Sequence, residues 1–176
     1  MEIKMTSESC TTCGKSKSLL CCEVCAATVC KHCAQLIDED TFSFLETKTA
    51  AMSHSIFCTT CFDQNISADL EKYNQTMAAA KEVYVFYKTH SKVTRLIRRD
   101  EEPITIIDCD DKEEVILRLA FKAAQMGYNS LIQIEINSKK NRVNNYQSQV
   151  YTATGIPAQV DLSRLVKDRS IWSNPN

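Results

Sequence analysis

Cysteine dominates the chemistry available to this chain. Eight of its ten cysteines fall into four Cys-x2-Cys pairs: Cys10/Cys13, Cys22/Cys25, Cys30/Cys33 and Cys58/Cys61. Two intervening residues let the backbone turn tightly enough to aim both sulfurs at one metal ion. Four pairs supply eight thiolates, the complement of two closed tetrahedral zinc sites of four cysteines each. The competing use of so many cysteines is a disulfide framework, which needs an oxidising compartment and usually a secretory leader. The opening stretch from Met1 to Cys10 has neither an apolar core nor a cleavage motif, and even Ile104–Ile107 ends at Asp108, far short of a membrane span. These features predict a soluble, cytoplasmic protein that binds two Zn2+ per chain.

The bulk composition excludes several other chemistries. With 24% charged and 44% apolar residues the chain is an ordinary globular sequence. Its three glycines, Gly14, Gly127 and Gly155, are too few and too scattered for a phosphate-cradling or dinucleotide-binding loop. A net charge of −1 argues against nucleic acid as a partner, which normally requires a basic excess. Residues 1–66 carry five basic groups against eight acidic ones, a net of −3, while all seven arginines lie later. Eight thiolates on two Zn2+ would bring that segment to about −7, a poor surface for DNA, RNA or anionic lipid.

With Cys22 as third ligand, the intervals between successive cysteines read x2, x8, x2, x4, x2, x24, x2. This resembles the FYVE-type zinc finger; the x4 gap from Cys25 to Cys30 and the lack of a histidine ligand set it apart from RING fingers. The resemblance implies a cross-brace and a treble-clef-like fold. Cys10, Cys13, Cys30 and Cys33 would hold zinc one, and Cys22, Cys25, Cys58 and Cys61 zinc two. Spacing alone leaves a sequential pairing open, first pair with second and third with fourth, and leaves open Cys21 in place of Cys22. Lipid-binding FYVE domains carry a basic Arg-His-His-Cys-Arg-type stretch around the third cysteine. Here the chain reads Leu19-Leu20-Cys21-Cys22-Glu23-Val24, with Ser55-Ile56-Phe57 before Cys58, where the family has an arginine before its seventh cysteine. That argues against phosphatidylinositol 3-phosphate as a ligand and for FYVE-related fingers that dock proteins.

Other candidates carry simpler readings. Cys21 reads as a small buried hydrophobe, His32 as a solvent-facing residue between ligands, and His54 as a histidine with no vacant ligand position to fill. Lys88, Lys92, Arg95, Arg98 and Arg99, with His90 among them, form a candidate phosphate-binding set. Asp100, Glu101 and Glu102 follow at once and no aromatic is interleaved for stacking, so a solvated loop is the preferred reading. The run Lys139-Lys140-Asn141-Arg142 takes the same discount. Asp108, Asp110, Asp111, Glu113 and Glu114 have the chemistry to hold Ca2+ or Mg2+, but their place at a helix N-terminus explains them with less machinery. Cys109 beside them reads as an inert thiol.

Several elements position these groups. Leu70, Tyr73, Met77 and Ala80 recur at helical spacing over 67–81, with Ser67 as N-cap. Val83–Tyr87 and Ile104–Ile107 read as strands. A capping box of Asp110 and Glu113 opens a helix ending at Met126, stopped by Gly127. That helix has only Arg118, Lys122 and Gln125 as a polar stripe, so it needs a partner beyond one sheet face: helix 67–81, the segment Leu162–Val166, or a second subunit meeting the 111–126 helix. In Ser130–Ile136, Ile132, Ile134 and Ile136 alternate with Gln133 and Glu135 as in a half-buried strand. Ser138–Asn145 reads as a polar turn leading to a last strand, Gln147–Thr154.

The stretch Leu119-Ala120-Phe121-Lys122-Ala123-Ala124-Gln125-Met126-Gly127-Tyr128-Asn129-Ser130-Leu131-Ile132, with Gly155-Ile156-Pro157-Ala158, resembles bacterial YbjQ-type α/β domains, often labelled heavy-metal-binding. The resemblance implies an oligomerising domain over 104–158; the metal-binding label is not matched, since that region has no histidine and one cysteine. The expected fold class is α+β. A cross-braced finger over 1–66 is followed by a bridging helix over 67–82, a small βαββ domain over 83–166 and a tail over 167–176. The expected function is a non-enzymatic, zinc-binding adaptor with a protein partner. Ubiquitin-ligase activity of RING type, or phosphate, membrane or nucleic-acid binding through 88–99, stands as the alternative.

Overall fold

The computed structural model describes residues 9–16, 19–89, 97, 101–143 and 146–161. The chain is mixed α and β and divides into two compact units, Met1–Asn74 and Gln75–Asn176.

The first unit is built from short pieces. Strands β1 (Leu19–Cys21) and β2 (Thr28–Cys30) pair antiparallel, with Leu20 opposite Val29. Strands β3 (Gln35–Leu36) and β4 (Ile56–Phe57) form a second pair. Helix α1 (Thr59–Asn65) follows, and α2 (Ser67–Lys81) starts after one intervening residue. That residue, Ile66, joins the two helical ladders: its N–H donates to the Phe62 carbonyl and its own carbonyl accepts from Leu70. Ser67 is therefore the first residue of α2 and not its N-cap, because the backbone of Ile66 already occupies the capping position. A small core does exist here, around Val29, Phe42, Phe57 and Ile66, all nearly fully buried, and Phe42 meets Tyr73 edge-on with ring centroids 5.3 Å apart. Cys21 is exposed on β1, contrary to its expected burial. It lies opposite Thr28 in the ladder, and of these two cross-strand neighbours only Thr28 is buried.

The second unit is a four-stranded sheet in the order β5-β7-β8-β6. β5 (Tyr84–Tyr87) runs parallel to β7 (Ser130–Val143), and β8 (Tyr146–Ala158) is antiparallel to both β7 and β6 (Ile104–Cys109). Helix α3 (Lys112–Gln125) carries the chain from β6 to β7, two parallel strands with β8 between them. Its N-cap is Asp111, whose carboxylate accepts from the Glu114 N–H at 2.8 Å. The sequence offers the Asp-x-x-Glu pattern in two adjacent frames, and the later frame is used, not Asp110 with Glu113. Glu114 then turns to the Arg118 guanidinium one turn on, at 2.8 Å. Gly127, at φ +85°, ends the helix in the left-handed region that glycine enters without a Cβ penalty. Beyond it, Asn129 clamps Val160 through both amide atoms, at 2.9 and 2.8 Å.

The alternation expected along β7 is broken at one point. Gln133 adopts φ +55° and the register to β8 slips between Ile132 and Glu135. This bulge reverses the phase of the strand. Leu131 and Ile134 both reach the face that a Cβ on Gly155 would occupy, whereas Ile132 joins Phe86, Ala158 and Val160 in a separate cluster against which Ile97 packs. Val115, Leu119, Ala120, Phe121 and Ala123 of α3 are buried and belong to no part of that cluster, so the helix covers the opposite face. Both faces of the sheet are thus lined by apolar residues.

Of the expected polar turn over Ser138–Asn145, residues 138–143 are strand, and Asn144 and Asn145 lie outside the described residues. β7 continues to Val143 and β8 resumes at Tyr146, with Lys139 opposite Val150 and Arg142 opposite Gln147. Cross-strand pairing satisfies the backbone there, so the strands persist although Lys139, Lys140, Arg142, Ser148 and Gln149 are all exposed. The segment Leu162–Val166 and the tail lie outside the described residues.

Candidate metal centre

The eight paired cysteines gather into two groups, Cys10, Cys13, Cys30 and Cys33, and Cys22, Cys25, Cys58 and Cys61. Within each group all four Sγ atoms lie within 4.8 Å of one another. Pair one thus joins pair three and pair two joins pair four; the sequential alternative is not what the chain adopts, and Cys21 stands outside both groups.

The local backbone explains how each pair presents its sulfurs. In all four, the residue four positions after the first cysteine returns a hydrogen bond to that cysteine's carbonyl. Gly14 donates to Cys10, Ala26 to Cys22, Ala34 to Cys30 and Phe62 to Cys58, at 2.8 to 2.9 Å. Gly14 and Ala26 do so from left-handed φ values of +72° and +58°, which turn the chain away from the metal position and into the next segment. The fourth pair instead continues into α1: Cys58 is the helix N-cap, and its Sγ accepts from the Cys61 N–H at 3.4 Å.

The donor geometry fits zinc. Cys13 and Cys30 sulfurs are 3.6 Å apart and Cys25 and Cys58 sulfurs 3.8 Å apart. A tetrahedron with Zn–S bonds of ~2.3 Å has edges of about 3.8 Å, whereas a disulfide would bring two sulfurs to ~2.05 Å. All ten cysteines are free thiols. Four sulfurs close a tetrahedral ion completely and leave no position for an attacking water, so the sites suit a structural metal.

The electrostatics of the sulfurs point the same way. Burial works against the Cys10 thiolate, but N–H groups of Cys30, Cys13 and Thr12 outweigh it and bring its pKa down to about 6. Cys22 is likewise opposed by burial and drawn down to about 6 by N–H groups of Cys25, Cys58 and Val24. Their companions are pushed the other way. The sulfurs of Cys13 and Cys30 raise Cys33 to about 12, and burial together with the neighbouring cysteines raises Cys61 well above the thiol range. Each cluster thus holds a thiolate at neutral pH beside thiols that stay protonated until a cation offsets the accumulating charge.

One supporting residue escaped the sequence reading. Glu23, inside the second pair, accepts from the Ser55 N–H at 2.7 Å and lies 3.5 Å from His54 Nδ1. It ties the strand leading to Cys58 onto the loop carrying Cys22 and Cys25. Nothing in the sequence marks it, since an acidic residue between two ligands has no pattern of its own. His54 is therefore engaged with Glu23, and His32 is exposed.

Among the described residues the remaining candidates form no further metal-binding group. Lys88 pairs with Glu135 at 2.8 Å, and Lys92, Arg95, Arg98 and Arg99 lie outside the described residues, as does His90. Among the described residues the acidic cluster near α3 forms no metal-binding group; Asp111 caps the helix and Glu114 meets Arg118. Cys109 is buried, and burial raises its pKa, reinforced by Glu114, Asp110 and Asp108 against the opposing Arg118. Among the described residues no helix is long and apolar enough to cross a membrane. Comparison with known protein families, characterised proteins and solved structures finds no match to this chain.

Proposed function

We propose that the chain is a zinc-binding, non-enzymatic adaptor, in which two structural ions shape a protein-docking module joined to an α/β domain. The observation carrying this reading is the crossed arrangement of two four-sulfur groups at tetrahedral spacing. Closed sites argue against hydrolytic chemistry at the metal. Two hairpin-like strand pairs and a helix that begins at the last cysteine pair favour a treble-clef-like, FYVE-related finger. The residues around the third cysteine support protein docking in preference to lipid-headgroup binding: Leu19 and Leu20 stand where the lipid-binding fingers are basic, and Val24 and Leu36 are exposed apolar side chains.

Native mass spectrometry of the purified full chain tests the reading. Two zinc ions per chain are expected, together with the number of subunits, while metal-free protein or oxidised cysteine pairs would overturn it. A parallel assay for discharge of a charged ubiquitin-conjugating enzyme should show no activity; discharge would replace the adaptor by a ligase.

A further inference from the structure

The hairpin end of the second unit's sheet carries a surface that the zinc module does not account for. We infer that the β7–β8 ribbon is a docking element for double-stranded B-form DNA. β6 reaches along β8 only as far as Tyr151, and the ladder continues for five more residue pairs, from Lys139–Val150 to Val143–Tyr146. A two-stranded ribbon of this kind gains little from burial and is marginal in isolation, so its persistence as a projection invites a partner. Lys139, Lys140 and Arg142 are all exposed on it. No acidic residue occurs between Glu135 and Asp161, so three cations stand on a segment with no internal counter-charge.

The arrangement of these groups selects the partner. Lys140 and Arg142 are two apart on β7 and share a face, where Gln149 lies opposite Lys140 and bonds Ser138 at 2.8 Å. Lys139 takes the other face. A guanidinium fork and an amide on one face have the chemistry that reads base edges, while the lysines suit flanking phosphates. The B-DNA major groove admits a two-stranded ribbon, whereas the A-form groove of duplex RNA is too deep and narrow for side chains to read. Single strands are favoured by a row of aromatic platforms for successive bases, whereas β8 carries two tyrosines set apart, Tyr146 at the far end of the ribbon and Tyr151 at its base. The near-neutral whole chain adds no general attraction, so binding rests on the ribbon's own cations. As a strand, the run from Lys139 to Arg142 is held in register, which a solvated turn would not do.

Fluorescence anisotropy of the full, zinc-loaded chain with a mixed-sequence 20-bp DNA duplex tests this. Two phosphate-neutralising lysines predict a log–log salt slope of about −1.8, or about 12-fold weaker binding at 200 mM than at 50 mM salt. The K139A/K140A/R142A variant should lose at least about tenfold in affinity at 50 mM and flatten that slope, while its thermal unfolding stays that of the parent because all three side chains are exposed. Absence of duplex binding at 50 mM salt, or equal binding by the variant, overturns the proposal. So does variant-sensitive binding that is tighter for phosphatidylserine vesicles, duplex RNA or single-stranded DNA than for the duplex.

Discussion

The sulfurs of Cys13 and Cys30 lie 3.6 Å apart across 17 residues of sequence, while Cys22 and Cys25, which lie between them, serve the other cluster. Each group therefore closes a loop that contains ligands of its neighbour or is threaded by them. Stripping both positions of metal releases the whole segment, whereas weakening one first exposes that group's own sulfurs.

Chelation should therefore dismantle the first unit as one event. A structural zinc contributes on the order of 10–16 kcal/mol of apparent binding energy, far more than a core of four or five side chains supplies. Treatment with a strong chelator is expected to erase the amide signals of β1 to β4 while those of β6 to β8 and α3 persist, read by two-dimensional NMR. Retention of the β1–β2 signals in metal-free protein would contradict this.

Reloading the metal-free chain with zinc at pH 7 should release close to four protons per site. Chelation unfolds the segment, so the N–H bonds that draw Cys10 and Cys22 down in the folded clusters are lost and all the thiols start near their ordinary value of about 8.5. The expected inventory is about four protons per ion, measured by calorimetry in buffers of different ionisation enthalpy. A count of about two or fewer would mean that the folded clusters persist without metal and already hold thiolates.

Cys10→Ser should separate the two pairings. With crossed clusters, Cys13, Cys30 and Cys33 become open to alkylation before Cys22, Cys25, Cys58 and Cys61 do, and mass spectrometry of labelled peptides reports the order. Early labelling of Cys22 and Cys25 would point to a sequential arrangement.

Ala26→Gly should stabilise the metal-loaded finger by about 1 kcal/mol, since alanine at φ +58° carries a left-handed penalty of roughly 1–2 kcal/mol that glycine escapes. The check is the midpoint of chemical unfolding followed by zinc release. In the second unit, Leu119→Ala should cost about 2–5 kcal/mol because Leu119 is wholly buried. Asp111→Ala should cost about 1 kcal/mol through loss of the cap.

In the native holoprotein, iodoacetamide at pH 7.5 should modify exposed Cys21 and leave buried Cys109 untouched. The sign of the linkage follows from the raised Cys109 value. The folded state holds its proton more tightly than the unfolded state, so this contribution to stability is complete below pH 9 and declines as the pH climbs above it. Rapid native-state labelling of Cys109 would disprove its burial.

Much of the candidate site was legible from spacing alone, because a Cys-x2-Cys pair has few geometric solutions and each declares its sulfurs. What the spacing left undecided was which pairs meet, since that depends on the β1–β2 and β3–β4 strands that fold one pair back over another. The elements of the second unit were legible where periodicity was strong, as in α3 and β5. They failed where one residue changes the phase. The bulge at Gln133 separates Ile132 from Ile134, and the cap sits on Asp111 because two overlapping Asp-x-x-Glu frames are locally equivalent. The ribbon from Lys139 to Val150 was missed because polar composition resembles a turn, and only the cross-strand partner reveals that its backbone is paired.

Ile66 gives the second cluster a reach beyond its own sulfurs. Starting a helix is the costly step, since several dihedrals must be fixed for a single bond, and extension afterwards is cheap. Cys58 and Cys61 freeze that opening turn, and Ile66 relays it into the 15 residues of α2 without a second start. An ion held by that cluster would thus act as the nucleus from which both helices propagate.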